Sequence, residues 1–129
     1  PNCGKTSLFN LLTSLNFQVG NWSGVTVEKK VGHLLIENQS FEIVDLPGIY
    51  NLSIPLTHLS ADEQISADYI YSGESYLFIN ILDASNLERN LYLTLQLLEA
   101  QVPLIIALNM MDVATKKGIK INVERLQTI

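Results

Sequence analysis

Asn2-Cys3-Gly4-Lys5-Thr6 stands at the start of the chain and is the stretch that decides the fold. It matches the end of the phosphate-binding loop pattern, which is a glycine, four free residues and then Gly-Lys-Ser or Gly-Lys-Thr. Gly4 allows backbone N–H groups to wrap phosphate oxygens, Lys5 supplies a charge for the outer phosphates, and Thr6 offers a hydroxyl to magnesium. The first glycine of the pattern would precede Pro1. Since such a triplet also occurs in ordinary turns before helices, it leaves both interpretations open.

The composition predicts one globular domain without a nucleic-acid-binding surface. Of the 129 residues 47% are apolar, and 13 acidic against 8 basic residues give a formal charge of −5. No basic run or arginine cluster appears, so we expect no nucleic-acid partner. The single cysteine, Cys3, cannot form an internal disulfide, which is typical of a reducing cytosolic compartment. No apolar run reaches the roughly 18 residues that a membrane helix requires.

Hydrophobic periodicity predicts helices and strands in alternation. Helices are predicted over residues 5–14, 62–72 and 87–100, and from residue 122 onward. Strands are predicted over residues 31–37, 40–45, 76–83 and 103–109, the first two forming a hairpin around Asn38-Gln39. Residues 18–30 are too irregular for a strand and are predicted to form a functional loop. This order predicts an α/β fold with a mostly parallel sheet, one antiparallel hairpin and helices on both faces.

Two further motifs follow predicted strands. In Asp45-Leu46-Pro47-Gly48 the carboxylate can hold magnesium through water, and Gly48 lets its N–H approach a terminal phosphate. In Asn109-Met110-Met111-Asp112 the carboxylate of Asp112 can accept two hydrogen bonds from guanine. Each motif alone has a plain alternative, a strand-ending turn or a helix cap. Because ligands bind at the carboxyl ends of strands in such sheets, the three motifs in this order predict guanine-nucleotide binding.

The predicted loop of residues 18–30 then acquires a role. A GTPase needs a threonine between its first helix and second strand to complete the coordination of magnesium. Thr26, within Gly24-Val25-Thr26-Val27-Glu28, is the candidate. We expect the order of this loop to depend on the γ-phosphate.

Longer runs of sequence resemble the G domain of the bacterial ferrous-iron transporter FeoB family. They are residues 1–6, 19–30, 45–50, 83–91 and 109–112, and the Asn-Trp loop and the run from Asp83 are the most specific. The resemblance implies a Ras-like P-loop GTPase domain at the cytoplasmic face of the inner membrane, followed by a helical and a membrane domain. It implies that GTP hydrolysis couples to or gates ferrous-iron uptake. Residues 1–129 are then one G domain lacking its first strand and its last guanine motif, with a homo-oligomer left open.

Three residues bear on the expected strength of nucleotide binding and on the expected rate of hydrolysis. Met110 replaces the lysine that usually covers the base, so we expect weak binding and fast exchange. Ile49 stands where Ras-like enzymes place a water-orienting glutamine, so hydrolysis is slow or is assisted differently. Similar GTPases with an asparagine at the loop position of Asn2 use a potassium ion beside the phosphates. The charge of that ion would replace an arginine finger. A hydrogen bond that braces the loop is the alternative role of Asn2.

These predictions define the expected site. The expected catalytic residues are Asn2, Lys5, Thr26 and Gly48. The expected magnesium ligands are Thr6, Thr26 and Asp45, and the expected potassium ligand is Asn2. GTP or GDP is expected to contact Pro1, Asn2, Cys3, Gly4, Lys5, Thr6, Ser7, Gly24, Val25, Thr26, Val27, Glu28, Asp45, Leu46, Pro47, Gly48, Asn109, Met110, Met111 and Asp112. A ribosome-assembly or tRNA-modification GTPase of related fold, and a nucleotide-binding module without hydrolysis, are the alternative functions.

Overall fold

The computed structural model describes residues 3–52, 58–75 and 77–129, and its elements alternate as the periodicity predicts. In chain order they are α1 (Lys5–Leu12), β1 (Phe17–Asn21), β2 (Glu28–Ile36), β3 (Gln39–Asp45), α2 (Ala61–Ser72), β4 (Phe78–Asp83), a 3₁₀ turn (Ala84–Asn86), α3 (Leu87–Glu99), β5 (Leu104–Asn109), α4 (Met111–Lys116) and α5 (Val123–Leu126). The fold class is α/β, as predicted.

The strands of the described ranges form two sheets. β1, β2 and β3 make an antiparallel sheet with β2 in the centre, and β4 pairs with β5 in parallel. The prediction of a loop over residues 18–30 is wrong at both ends, because β1 pairs with β2 from Phe17 opposite Gly32 to Asn21 opposite Glu28. β1 is an edge strand with four of its five residues exposed, so no alternation of apolar and polar residues marks it. The predicted hairpin therefore continues into a third strand.

Smaller differences concern turns and ends. The β2–β3 turn is centred on Glu37 and Asn38, both with positive φ, and not on Asn38 and Gln39. Positive φ at both central residues defines the type of turn whose twist matches that of the two strands in a two-residue hairpin. The short helix α4 was expected only as a possible cap, and α5 is a single turn whose first residues are capped by Asn122, which accepts from the Arg125 N–H at 2.9 Å.

Helices α1 and α3 carry the packing that positions the site. The rings of Phe9 in α1 and Phe17 in β1 meet edge to face at 5.1 Å. In α3 the buried residues are Thr94 and Leu97, and the Thr94 hydroxyl donates to Asn80 of β4 at 2.6 Å. This hydrogen bond satisfies a fully buried polar group and fixes α3 on β4. None of the helices in the described ranges is both long and apolar enough to span a bilayer.

Candidate functional site

An open cleft of about 440 Å³ lies where the phosphate loop, the Thr26 segment and the end of β3 meet. Its walls are Lys5, Thr26, Val27, Glu28, Lys30, Asp45, Leu46, Pro47 and Asp62. The fold thus brings together two of the predicted motifs and the Thr26 segment, which are about 20 residues apart along the chain. Of the predicted site, Pro1 and Asn2 lie outside the described residues.

A close ion pair joins the phosphate loop to the end of β3. The Nζ atom of Lys5 lies 2.5 Å from Oδ1 of Asp45. The Asp45 side chain is only 12% exposed and that of Lys5 is 32% exposed, so the pair is shielded from most of the solvent. A charge-assisted hydrogen bond is stronger than a neutral one. The two residues expected to serve phosphate and magnesium therefore neutralise each other in this state.

The third motif contacts the phosphate loop directly. Asn109, the last residue of β5, donates from Nδ2 to the Cys3 carbonyl at 2.9 Å. Gly4 has φ +94°, and a Cβ at this position would overlap the same Asn109 nitrogen. Glycine is therefore required at position 4 both by its backbone conformation and by this close approach.

The rest of the third motif lies at the start of α4. Met110 is half-buried and adopts a left-handed conformation with φ +61°, which is uncommon for a residue with a side chain. Met111 and Asp112 are exposed. The carboxylate of Asp112 is therefore open to a ligand at the edge of the sheet where Asn109 meets the loop.

The segment that carries Thr26 is a tight turn. The Trp22 N–H donates to the Val27 carbonyl at 2.9 Å, and the Val25 N–H donates to the Trp22 carbonyl at 3.2 Å. Gly24, with φ +76°, supplies the left-handed residue that this turn needs. Thr26 is exposed and forms part of the cleft wall.

An aromatic contact holds this turn against α2. The Trp22 ring meets the Tyr69 ring edge to face at 5.7 Å, and the Nζ of Lys29 lies 4.6 Å from the centre of the Trp22 ring. Burial raises the pKa of the Tyr69 hydroxyl, and the charges of Glu74 and Glu42 raise it further. Tyr69 therefore stays neutral across the physiological range, as a packing residue requires.

The segment after Asp45 is held by residues that the sequence prediction missed. Ser66 of α2, fully buried, donates to the Pro47 carbonyl, and Ile49 is 8% exposed. Gln96 of α3 accepts from the Leu52 N–H at 2.8 Å and donates to Asn51 at 2.9 Å. These contacts fix the path of the chain on both sides of Gly48.

The remaining predicted residues are placed as follows. Thr6 and Ser7 are exposed in the first turn of α1, and Gly48 is half-buried beside the cleft residues Leu46 and Pro47. The Asp83 run has a structural role, because Asp83 caps the 3₁₀ turn through the Ser85 N–H at 2.8 Å.

Comparison with known proteins gives matches over the whole chain. A family model described as Ferrous iron transport protein B matches residues 1–129. The Fe(2+) transporter FeoB of Salmonella typhimurium LT2 is 55% identical over 128 residues, which are 99% of this chain and 17% of that protein. The chain therefore spans less than a fifth of the length of this curated relative.

Two solved structures are similar to this fold. The cytosolic domain of L. pneumophila FeoB has a TM-score of 0.93 at 52% identity, over 99% of this chain and 55% of that one. The cytosolic domain of the T. maritima FeoB iron transporter in its GMPPNP form has a TM-score of 0.89 at 44% identity, over 99% of this chain and 49% of that one.

Proposed function

Because the chain belongs to the Ferrous iron transport protein B family, we propose that its cleft binds GDP and GTP and that the domain hydrolyses GTP. The observation that carries this proposal is the Lys5–Asp45 ion pair in one cleft with Thr26. A lysine, a carboxylate and a threonine hydroxyl are the groups that a magnesium nucleotide requires. A relative of this chain was solved with GMPPNP, a nucleotide in the same chemical class.

Phosphate binding is proposed at Gly4, Lys5 and the first turn of α1. The Lys5 ammonium exchanges Asp45 for the outer phosphate oxygens, and the free N–H groups of the α1 N-terminus face the same oxygens. The exchange keeps the charge of Lys5 balanced, because the phosphates replace the carboxylate.

Magnesium fits the oxygen donors around the same point. Thr6, Thr26 and Asp45 supply two hydroxyls and one shielded carboxylate, which are hard ligands of the kind that this ion prefers. Bound magnesium would neutralise charge on the phosphate oxygens. Asp45 becomes available to it when Lys5 moves to the phosphates.

Guanine recognition is proposed at Asn109 and Asp112. The hydrogen bond from Asn109 to the Cys3 carbonyl joins the base site to the phosphate loop, so both ends of a nucleotide meet one rigid unit. Asp112 is exposed and can accept from guanine N1–H and its amine. Met110 offers packing to the base without the charge of a lysine, which favours weak binding and fast exchange.

Hydrolysis is proposed to be slow and assisted by potassium. Ile49 is buried and has no polar atom with which to orient an attacking water. We propose that Thr26 and the Gly48 N–H contact the terminal phosphate. Asn2 is proposed as a potassium ligand, so that the ion supplies the charge that an arginine finger supplies elsewhere.

In the whole protein we propose that this domain lies on the cytoplasmic face of the bacterial inner membrane. Its partners would be C-terminal helical and membrane domains of the same protein, and its GTP cycle would couple to or gate Fe(II) uptake. The 55% identity to the Fe(2+) transporter FeoB of Salmonella typhimurium LT2 supports this role.

Single-turnover GTP cleavage by the full chain tests the proposal. Thr26→Ala should slow cleavage by about tenfold or more, since a group that contacts the reacting phosphate is lost. Ser23→Ala is the matched control, because Ser23 is exposed in the same turn but does not line the cleft. Wild-type rates in potassium should exceed those in sodium, and Asn2→Ala should abolish that difference. Equal rates for the Thr26 and Ser23 variants would contradict the proposed role of Thr26.

A further inference from the structure

Lys30 lies on the wall of the cleft, although the proposed function gives it no role. It shares the cleft with Lys5, Thr26 and Asp45. In the register of the β2–β3 pair, Lys30 stands directly opposite Asp45. Directly opposite residues of an antiparallel pair have Cβ atoms about 4.5–5.5 Å apart and point to the same face of the sheet. Lys30 therefore flanks the carboxylate that Lys5 contacts.

The neighbouring Lys29 points the other way. Successive side chains of a strand alternate between faces, and Lys29 places its Nζ over the Trp22 ring, while Lys30 has its Nζ 5.6 Å from the centre of the Phe17 ring. The two lysines thus carry the same charge on the same strand, but only Lys30 lines the cleft.

The charge of Lys30 is only weakly engaged among the described residues. Its ion pair with Glu28 is long, at 3.6 Å, and the Glu28 side chain is 58% exposed. Exposed pairs of this kind contribute little free energy. The Lys30 side chain itself is 27% exposed, so its charge acts in a partly shielded space. A phosphate in the cleft would therefore meet a cation whose described contacts, with Glu28 and with the Phe17 ring, are both long.

The balance of charges in the cleft makes this cation important. Two lysines face three carboxylates there, those of Glu28, Asp45 and Asp62. A nucleotide brings several further negative charges. When Lys5 moves from Asp45 to the phosphates, Lys30 is the second lysine of the described cleft, and its charge adds to that of Lys5 in offsetting the charge of phosphate.

We propose that Lys30 is a second phosphate-facing cation of the site, which substitutes in part for magnesium. The inference rests on the proposed function, because it assigns a further residue to the same nucleotide. It has two consequences of opposite sign. Removing the charge of Lys30 weakens nucleotide binding when magnesium is absent. It also increases the factor by which magnesium tightens binding, because a cation that repels the metal ion is gone.

The test is GDP affinity of the full chain in EDTA and in excess magnesium. Lys30→Met keeps a side chain of similar length beside Phe17 and removes the charge. Its GDP affinity in EDTA should fall by about three- to tenfold, the range expected for one charge near an open site. The factor by which magnesium tightens binding should rise in the same variant. Lys29→Met should change neither quantity, and Lys30→Arg should restore the wild-type values.

The outcomes separate this inference from the proposed function. If the wild-type chain binds GDP and Lys30→Met binds it equally well in EDTA, the inference alone is overturned. The same holds if Lys29→Met loses as much GDP affinity in EDTA as Lys30→Met does. Failure of the wild-type chain to bind GDP overturns both. Lys30→Gln provides a second neutral variant should Lys30→Met not fold, and the same two quantities are measured on it.

Discussion

Replacing Asp45 by asparagine should tighten the binding of GDP in the absence of magnesium. The Lys5 ammonium lies 2.5 Å from the Asp45 carboxylate, and this contact must be broken when Lys5 moves to the phosphates. Asparagine keeps the shape of the side chain and removes its charge. The variant should therefore bind magnesium-free GDP more tightly than the wild type, although it has lost a residue of the proposed site.

The magnitude follows from the exposure of the pair. A hydrogen bond between charged groups contributes about 1.5–3 kcal/mol, and solvent screening at Lys5, which is 32% exposed, reduces this to about 1–2 kcal/mol. The corresponding gain in affinity is about five- to thirtyfold. The free energy of unfolding of the variant, measured without nucleotide, should fall by a similar amount.

The assay is a titration of fluorescent GDP in EDTA, repeated in excess magnesium. Tighter binding in EDTA together with loss of the magnesium effect is the expected result. An unchanged or weaker affinity in EDTA would refute the reasoning, because it would mean that the ion pair does not compete with phosphate.

Three further predictions concern the frame around the site. Gly4→Ala should abolish GDP binding and lower the Tm more than Gly24→Ala does, because both have positive φ but only a Cβ at Gly4 meets another residue. Gln96→Leu should reduce the urea unfolding free energy by about 1–2 kcal/mol, since the half-buried Leu52 N–H loses its acceptor, and an unchanged midpoint would contradict this. Burial raises the pKa of the Tyr69 hydroxyl, so the protonated hydroxyl contributes fully to the stability of the fold below its ordinary pKa of 10.0. That contribution is lost as the pH rises through the pKa of the folded state. Tyr69→Phe should therefore remove this part of the fall in Tm at alkaline pH.

The parts of the site that depend on local chemistry could be predicted from the sequence. A few adjacent residues are enough to recognise each of three motifs, because each has its own backbone or side-chain requirement. These are Gly4-Lys5-Thr6, the motif Asp45–Gly48 and the motif that begins at Asn109. The α/β order and the positions of α3 and β5 also followed from periodicity, because both elements are long enough and apolar enough to show it.

The parts that depend on long-range contacts could not be predicted. β1 is an edge strand whose exposed residues show no alternation, so only its pairing with β2 reveals it. The tether from Gln96 to Leu52 joins residues 44 positions apart, and nothing at either position signals the other. The same holds for Lys30, which looks like a surface lysine until the register places it opposite Asp45.

The most direct test of guanine-nucleotide binding is competition between GDP, ADP and XDP for the full chain in magnesium. GDP is expected to compete at least about tenfold better than ADP, because adenine lacks the two donor groups from which Asp112 would accept hydrogen bonds. In Asp112→Asn the preference should move from GDP to XDP, since an amide offers a donor where the carboxylate offered only acceptors. Equal competition by GDP and ADP, or an unchanged preference in the Asp112 variant, would contradict the central claim.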